Sequence, residues 1–156
     1  MGDTQVLELR GRHWLISQLL DAGIEVALPI RDHGVDLVAY IDIPDLESER
    51  KRFLARPLQL KAATKASVGI MRKYEKFPDL LFVFVWYLDD PSRTCAYVLG
   101  YGHLLQIAEQ MGWTATASWR QNGWYTNNQP GQRLLELLQP YLATNDSWRA
   151  LLTHEA

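Results

Sequence analysis

Cysteine is nearly absent from this 156-residue chain, with Cys95 the one example. A disulfide framework needs pairs and a cysteine-based zinc site needs several thiolates, so one copy can build neither. A reduced, intracellular compartment is the expectation. Long apolar runs are missing as well. The longest, LLFVFVWYL at 80–88, has nine residues, against the roughly 20 that a membrane-spanning helix requires. No basic stretch leading into an apolar one opens the sequence, so a soluble, cytoplasmic protein with no membrane partner is expected. A strong charge of one sign is lacking too. The net charge of −2 excludes the highly basic profile of a general nucleic-acid coat protein. Twelve of the sixteen Lys and Arg nevertheless fall within residues 1–76, which permits a basic face in that half.

What is there is patterned for an α/β fold. Leu7, Gly11, Trp14, Leu15, Leu19 and Ala22 recur at spacings of three and four, with Gly23 behind them, the signature of an amphipathic helix and its stop. IEVALPI (24–30) and HGVDLVAYI (33–41) read as strands. The charged connection DIPDLESERKRFLAR reads as a solvated segment, with Arg50, Lys51 and Arg52 as a phosphate contact in a second reading. RPLQLKAAT (56–64) is a third strand, and VGIMRKYEKF (68–77) a short helix stopped by Pro78. LLFVFVWYL is apolar on both alternating faces, as a central strand covered on two sides must be. TCAYVLG (94–100) adds a strand and HLLQIAEQM (103–111) a helix. The Asn122-Gly123 pair suggests an edge hairpin, and QRLLELLQPYL with a last turn at Trp148 closes the chain. With no repeat, linker or low-complexity tract, residues 1–156 are expected to form one α/β domain, a central mixed sheet flanked by helices. Its core spans about 4–100 and a C-terminal helical extension about 101–156.

Two polar side chains in the third strand require a reason. Alternation puts Gln59 and Lys61 on one face and Leu58, Leu60 and Ala62 on the other. If the second and third strands pair antiparallel with positions summing to about 97, Asp36 stands opposite Lys61 and Val38 opposite Gln59. One face then carries a carboxylate, an amide oxygen and an ammonium, with Glu8 approaching from the packed helix. Carboxylate and carbonyl oxygens are the ligands Mg²⁺ accepts. A lysine beside such an ion can orient a water nucleophile or offset charge on a phosphoryl group. Taken singly, each residue also has a plain reading: Asp36 as turn chemistry after a glycine, Glu8 as a solvated helix shoulder, Lys61 as a side chain snorkelling from an edge.

Glu8 ahead of GRHWLISQLLDAGIEV, then HGVDLVAY, then LQLKAAT resembles the core of the PD-(D/E)XK nuclease superfamily. The likeness is to the branch holding Holliday-junction resolvases and modification-dependent restriction enzymes. It covers roughly residues 5–65, and the order of elements to about residue 100. It implies a restriction endonuclease-like αβββαβ core in which Asp36, Gln59, Lys61 and Glu8 are catalytic. Asp36, Gln59, Glu8 and the backbone carbonyl of Leu60 would hold Mg²⁺ or Mn²⁺, with no organic cofactor. Gln59 departs from the family pattern, which most often has a carboxylate there, and is similar to its QxK variant; a neutral ligand draws the ion with one charge fewer. The implied function is a metal-dependent nuclease hydrolysing phosphodiester bonds in DNA, alone or as a subunit of a DNA-processing or defence system. The alternative is a catalytically inactive module of the same fold, serving as a DNA-binding or protein-binding regulatory subunit.

His33, Arg12, Lys65, Arg72 and Lys73 are the candidate nucleic-acid contacts. Trp113, Trp119, Trp124 and Tyr125 can stack on bases or fill the core, and a self-association surface forming a homodimer is a second use for them. His13, His103 and His154 show no ligand spacing.

Overall fold

The first helix, α1 (Thr4–Asp21), starts on Asp3, whose carboxylate accepts the Gln5 N–H at 2.9 Å. This satisfies one of the N–H groups that a helix start leaves unpaired. It ends where Gly23 takes a φ of 77°, a left-handed conformation that glycine adopts without strain. The computed structural model describes residues 3–31, 33–41 and 53–153. The connection carrying Arg50, Lys51 and Arg52 lies outside them, as does His154.

Five strands form the main sheet: β1 (Glu25–Ala27), β2 (Leu37–Tyr40), β3 (Ala55–Ala62), β5 (Leu81–Trp86) and β6 (Cys95–Gly100), in the spatial order β1-β2-β3-β5-β6. The β3–β5 pair is parallel and the others are antiparallel, so the sheet is mixed. All six residues of β5 are buried, as its unbroken apolar run requires of a strand covered on both faces. Two further strands, β4 (Val68–Met71) and β7 (Trp124–Asn127), make a separate antiparallel ribbon.

The two faces of the main sheet differ in chemistry. One is aliphatic: Leu37, Ala39, Leu58, Val83, Val85 and Val98 pack with Leu15 and Leu19 of α1, and with Trp148 and Leu152 of α5 (Asn145–Thr153). The other is aromatic: Phe82, Phe84, Trp86 and Tyr97 lie under the ribbon residues Val68 and Ile70. Over them also pack the helices α2 (Tyr101–Gln110), α3 (Ala117–Asn122) and α4 (Gln132–Leu138). The C-terminal third thus contributes to both layers. Trp113 and Trp119 are buried and Trp113 stacks on Tyr125, with centroids 5.0 Å apart, so these three serve the core. Trp124 is exposed.

Two expectations are corrected. Residues 68–77 are not one helix but β4 followed by a 3-10 turn over Arg72–Lys76. Val68 and Ile70, two apart, both face the core, and this period-two burial belongs to a strand. Asn122-Gly123 is no hairpin turn. Gly123, with φ 71°, ends α3 and releases the chain into β7, which pairs with the distant β4.

Gly11 lets α1 sit directly on β3. A Cβ there would come within 2.6 Å of the Ala62 Cβ and 3.3 Å of a Leu60 methyl. We expect Gly11→Ala to destabilise the protein by about 1–3 kcal/mol through overpacking, despite alanine's helix-propensity advantage of about 1 kcal/mol. A thermal midpoint several degrees lower checks this. An unchanged or raised midpoint would mean that the helix seats more loosely.

Candidate functional site

β2 and β3 pair with positions summing to 95: Leu37 with Leu58, Val38 with Pro57, Ala39 with Arg56. The expected sum of 97 is therefore corrected by two, and Val38 does not face Gln59. The shift of two keeps every side chain on its expected face, and Leu37, Ala39 and Leu58 all enter the cluster beneath α1.

At Asp36 the ladder slips again. Its N–H donates to the Leu58 carbonyl at 2.9 Å, although Leu37 is already the strand partner of Leu58. Two successive residues addressing one partner make a bulge, which re-aims a side chain. Simple alternation therefore does not decide where Asp36 points. Its carboxylate turns to the backbone of β3, where Oδ2 accepts the Leu60 N–H at 2.6 Å, and Oδ1 has no partner among the described residues. Asp36 does not stand opposite Lys61 as expected. It sits level with Leu58–Leu60, at the edge of β3 that β2 has vacated. N–H and C=O of one strand residue face the same edge, so the Leu60 carbonyl opens there too.

Gln59 and Lys61 share the aromatic face, in register with Phe82 and Phe84 of β5. Their surroundings differ sharply. Gln59 is 7% exposed, the sole buried polar side chain among the described residues, whereas Lys61 is exposed. The Gln59 Nε2 donates to the Tyr74 hydroxyl at 2.6 Å, and its Oε1 is buried with no hydrogen-bond partner. A stranded buried acceptor costs about 1–3 kcal/mol. It is also the kind of atom a hard cation binds.

Glu8 makes no hydrogen bond or ion pair with Asp36, Gln59 or Lys61, and three residues after it Gly11 packs on Leu60 and Ala62. It is exposed, on a helix whose buried residues Gly11, Leu15 and Leu19 pack on the aliphatic face. The first turns of α1 thus overhang the C-terminal end of β3. Among the described residues no three His, Cys, Asp or Glu cluster as metal ligands. The fitting donor set is one carboxylate, one amide oxygen and one peptide carbonyl, all oxygens and so suited to Mg²⁺ or Mn²⁺.

No protein-family model and no curated protein matches this chain. Among solved structures it is similar to that of a bacterial homing endonuclease, at 16% identity, with 98% of this chain and 94% of that one covered and a TM-score of 0.49.

Of the nucleic-acid candidates, His33 and Lys65 are exposed in loops on either side of the Asp36–Gln59 region. Arg12 follows Gly11 on α1, its Nε shielded and without a partner. Arg72 is engaged: its Nη2 donates to the Trp119 carbonyl at 2.7 Å and its guanidinium lies over that indole at 4.8 Å. Lys73 sits over the Tyr74 ring at 5.0 Å. Tyr74 itself, fifteen positions from Gln59, escaped sequence reasoning because the helix expected over 68–77 gave it no route to β3. A cavity of about 890 Å³ lined by Arg56, Tyr101, His103, Tyr141 and Leu151 lies at the other end of β3. It is separated from Lys61 by about 16 Å of strand.

The Asp36 carboxylate has a structural duty of its own, holding the Leu60 N–H. Asp36→Ala should lower stability by about 1–2 kcal/mol in urea unfolding. Asp36→Asn, which keeps an acceptor oxygen, should recover most of that. Equal stability of the alanine variant would show that Leu60 needs no such partner.

Proposed function

We propose that this protein is a metal-dependent nuclease acting on DNA, with its site at the open edge of β3. The observations that support the reading are the Asp36 carboxylate seated on the Leu60 N–H and, on the adjacent residue of β3, a buried and unpartnered amide oxygen at Gln59. Asp36 Oδ1, Gln59 Oε1 and the Leu60 carbonyl would hold Mg²⁺ or Mn²⁺, and the bound ion would supply Lewis-acid polarisation of the scissile phosphodiester. One carboxylate makes for weak ion binding on its own, and substrate phosphate oxygens complete such a shell.

Lys61 has a separate task. Exposed to solvent, its ammonium can offset charge developing on the phosphoryl group or orient the attacking water. Lys65, Lys73 and His33 would meet the flanking phosphates, a salt-dependent and sequence-independent contribution. DNA as the substrate rests on the resemblance of the Asp36, Gln59-x-Lys61 pattern to the PD-(D/E)XK superfamily.

Lys61→Ala should leave the fold within about 0.5 kcal/mol of the parent, as exposed substitutions do. It should cut Mg²⁺-dependent cleavage of plasmid or branched DNA by about 10²–10³-fold. Undiminished cleavage would remove Lys61 from the site.

Glutamine in place of a carboxylate at position 59 favours a second reading, a module of the same fold that binds DNA or a protein partner without chemistry. The loss of the free-ion EPR signal on Mn²⁺ addition separates the two. The nuclease reading expects saturable binding that Asp36→Asn abolishes; an inert module shows none that depends on Asp36.

A further inference from the structure

Charge along this chain is not spread as its sum suggests. Residues 65–77 and 113–131, which build the β4–β7 ribbon and its flanks, carry five bases (Lys65, Arg72, Lys73, Lys76 and Arg120) and one acid, Glu75. That is +4, which leaves −6 for the rest of a chain whose net charge is −2. A polyanion is drawn to the part that holds the excess.

The same ribbon exposes an aromatic side chain that the core does not use. Strand alternation turns Val68, Ile70 and Tyr125 toward the sheet, and so Met71 and its direct partner Trp124 outward. Trp124 is 46% exposed and Met71 36%, whereas four of the other tryptophans are buried and Trp14 is half-buried. Two of the bases are tied to this pair through the backbone. Arg72, exposed, follows Met71, and its N–H donates to the carbonyl of Gly123, the neighbour of Trp124, at 2.7 Å. Arg120 is exposed in the last turn of α3, the helix whose Ser118 hydroxyl donates to the Trp124 carbonyl at 2.7 Å. We infer that the outer face of the β4–β7 ribbon binds single-stranded DNA, with the Trp124 indole stacked on an unpaired base and the surrounding bases of the protein on its phosphates. A strand-binding surface needs these two components together, a ring for the base and cations for the backbone. Inside a duplex the faces of the bases are already stacked on one another, so the indole has nothing to cover there. The surface goes beyond the proposed hydrolysis, favours branched or partly unpaired DNA, and does not depend on the ion site, in which no ribbon residue takes part.

The test reads the fluorescence anisotropy of a labelled oligothymidine of about 16 nucleotides, and of a duplex of equal length, against the full chain at low salt. EDTA is present, so the outcome is separate from that of the ion site. The parent should bind the single strand more tightly than the duplex, and its indole emission should be quenched as it does so. Trp124→Ala should weaken the single-strand complex by about 5- to 100-fold and the duplex complex by no more than about twofold, the scatter of independent sites. Trp124→Phe, which keeps a ring, should retain most of the affinity and lose the quenching. Both variants should unfold at the parent's thermal midpoint. A parent that does not bind oligothymidine overturns the proposal, as does unaltered binding by Trp124→Ala or an equal loss on single strand and duplex. An unfolded Trp124→Ala protein, or a dimeric parent that this change makes monomeric, assigns the indole to packing or to a second copy and overturns it as well.

Discussion

β2 stops while β3 continues, and a side chain takes over the missing backbone partner. The Asp36 carboxylate on the Leu60 N–H closes the ladder at that point. An exposed strand edge with unpaired N–H groups is a template for association. An acceptor that consumes the first of them reduces that liability. The bulge at Asp36 is what permits this, because a regular continuation of β2 would have spent its own backbone on Leu60 and sent the carboxylate elsewhere.

The sheet supports this edge asymmetrically. On the aliphatic face, Gly11 allows α1 to approach until helix and strand are in direct contact, and Leu15 and Leu19, each essentially without exposure, add about 1.5–3 kcal/mol apiece from burial. On the aromatic face, larger rings leave angular gaps that one polar side chain occupies. Gln59 is buried within this layer, whereas Lys61, two residues on beside Phe84, is exposed. The two layers share β5, whose complete burial makes it the common wall.

Much of the frame was legible in the sequence. The stripe of α1, its glycine stop and the two-sided apolar run of β5 each follow one period over enough residues to be unambiguous. The polar pair Gln59 and Lys61 was visible as a breach of that regularity. The register was not, since a four-residue β2 carries too few contacts to choose between sums of 95 and 97 until the partners beneath α1 are known. Tyr74 was invisible for a different reason: the short β4 and its 3-10 turn look helical in composition, and only the pairing of β4 with β7 reveals that the chain turns back over β3. Glu8 lies on the helix that the sequence stripe marks, but how far its side chain reaches is a tertiary fact that periodicity does not carry.

The unpartnered oxygen of Gln59 also says something about how this chain has been shaped. A close-packed interior of phenylalanine, tryptophan and tyrosine has no thermodynamic use for an amide with half its bonding capacity idle. A sequence drifting under demands for persistence alone would exchange it for a hydrocarbon of similar volume. Glutamine there leaves a weak spot in the middle of an otherwise apolar layer.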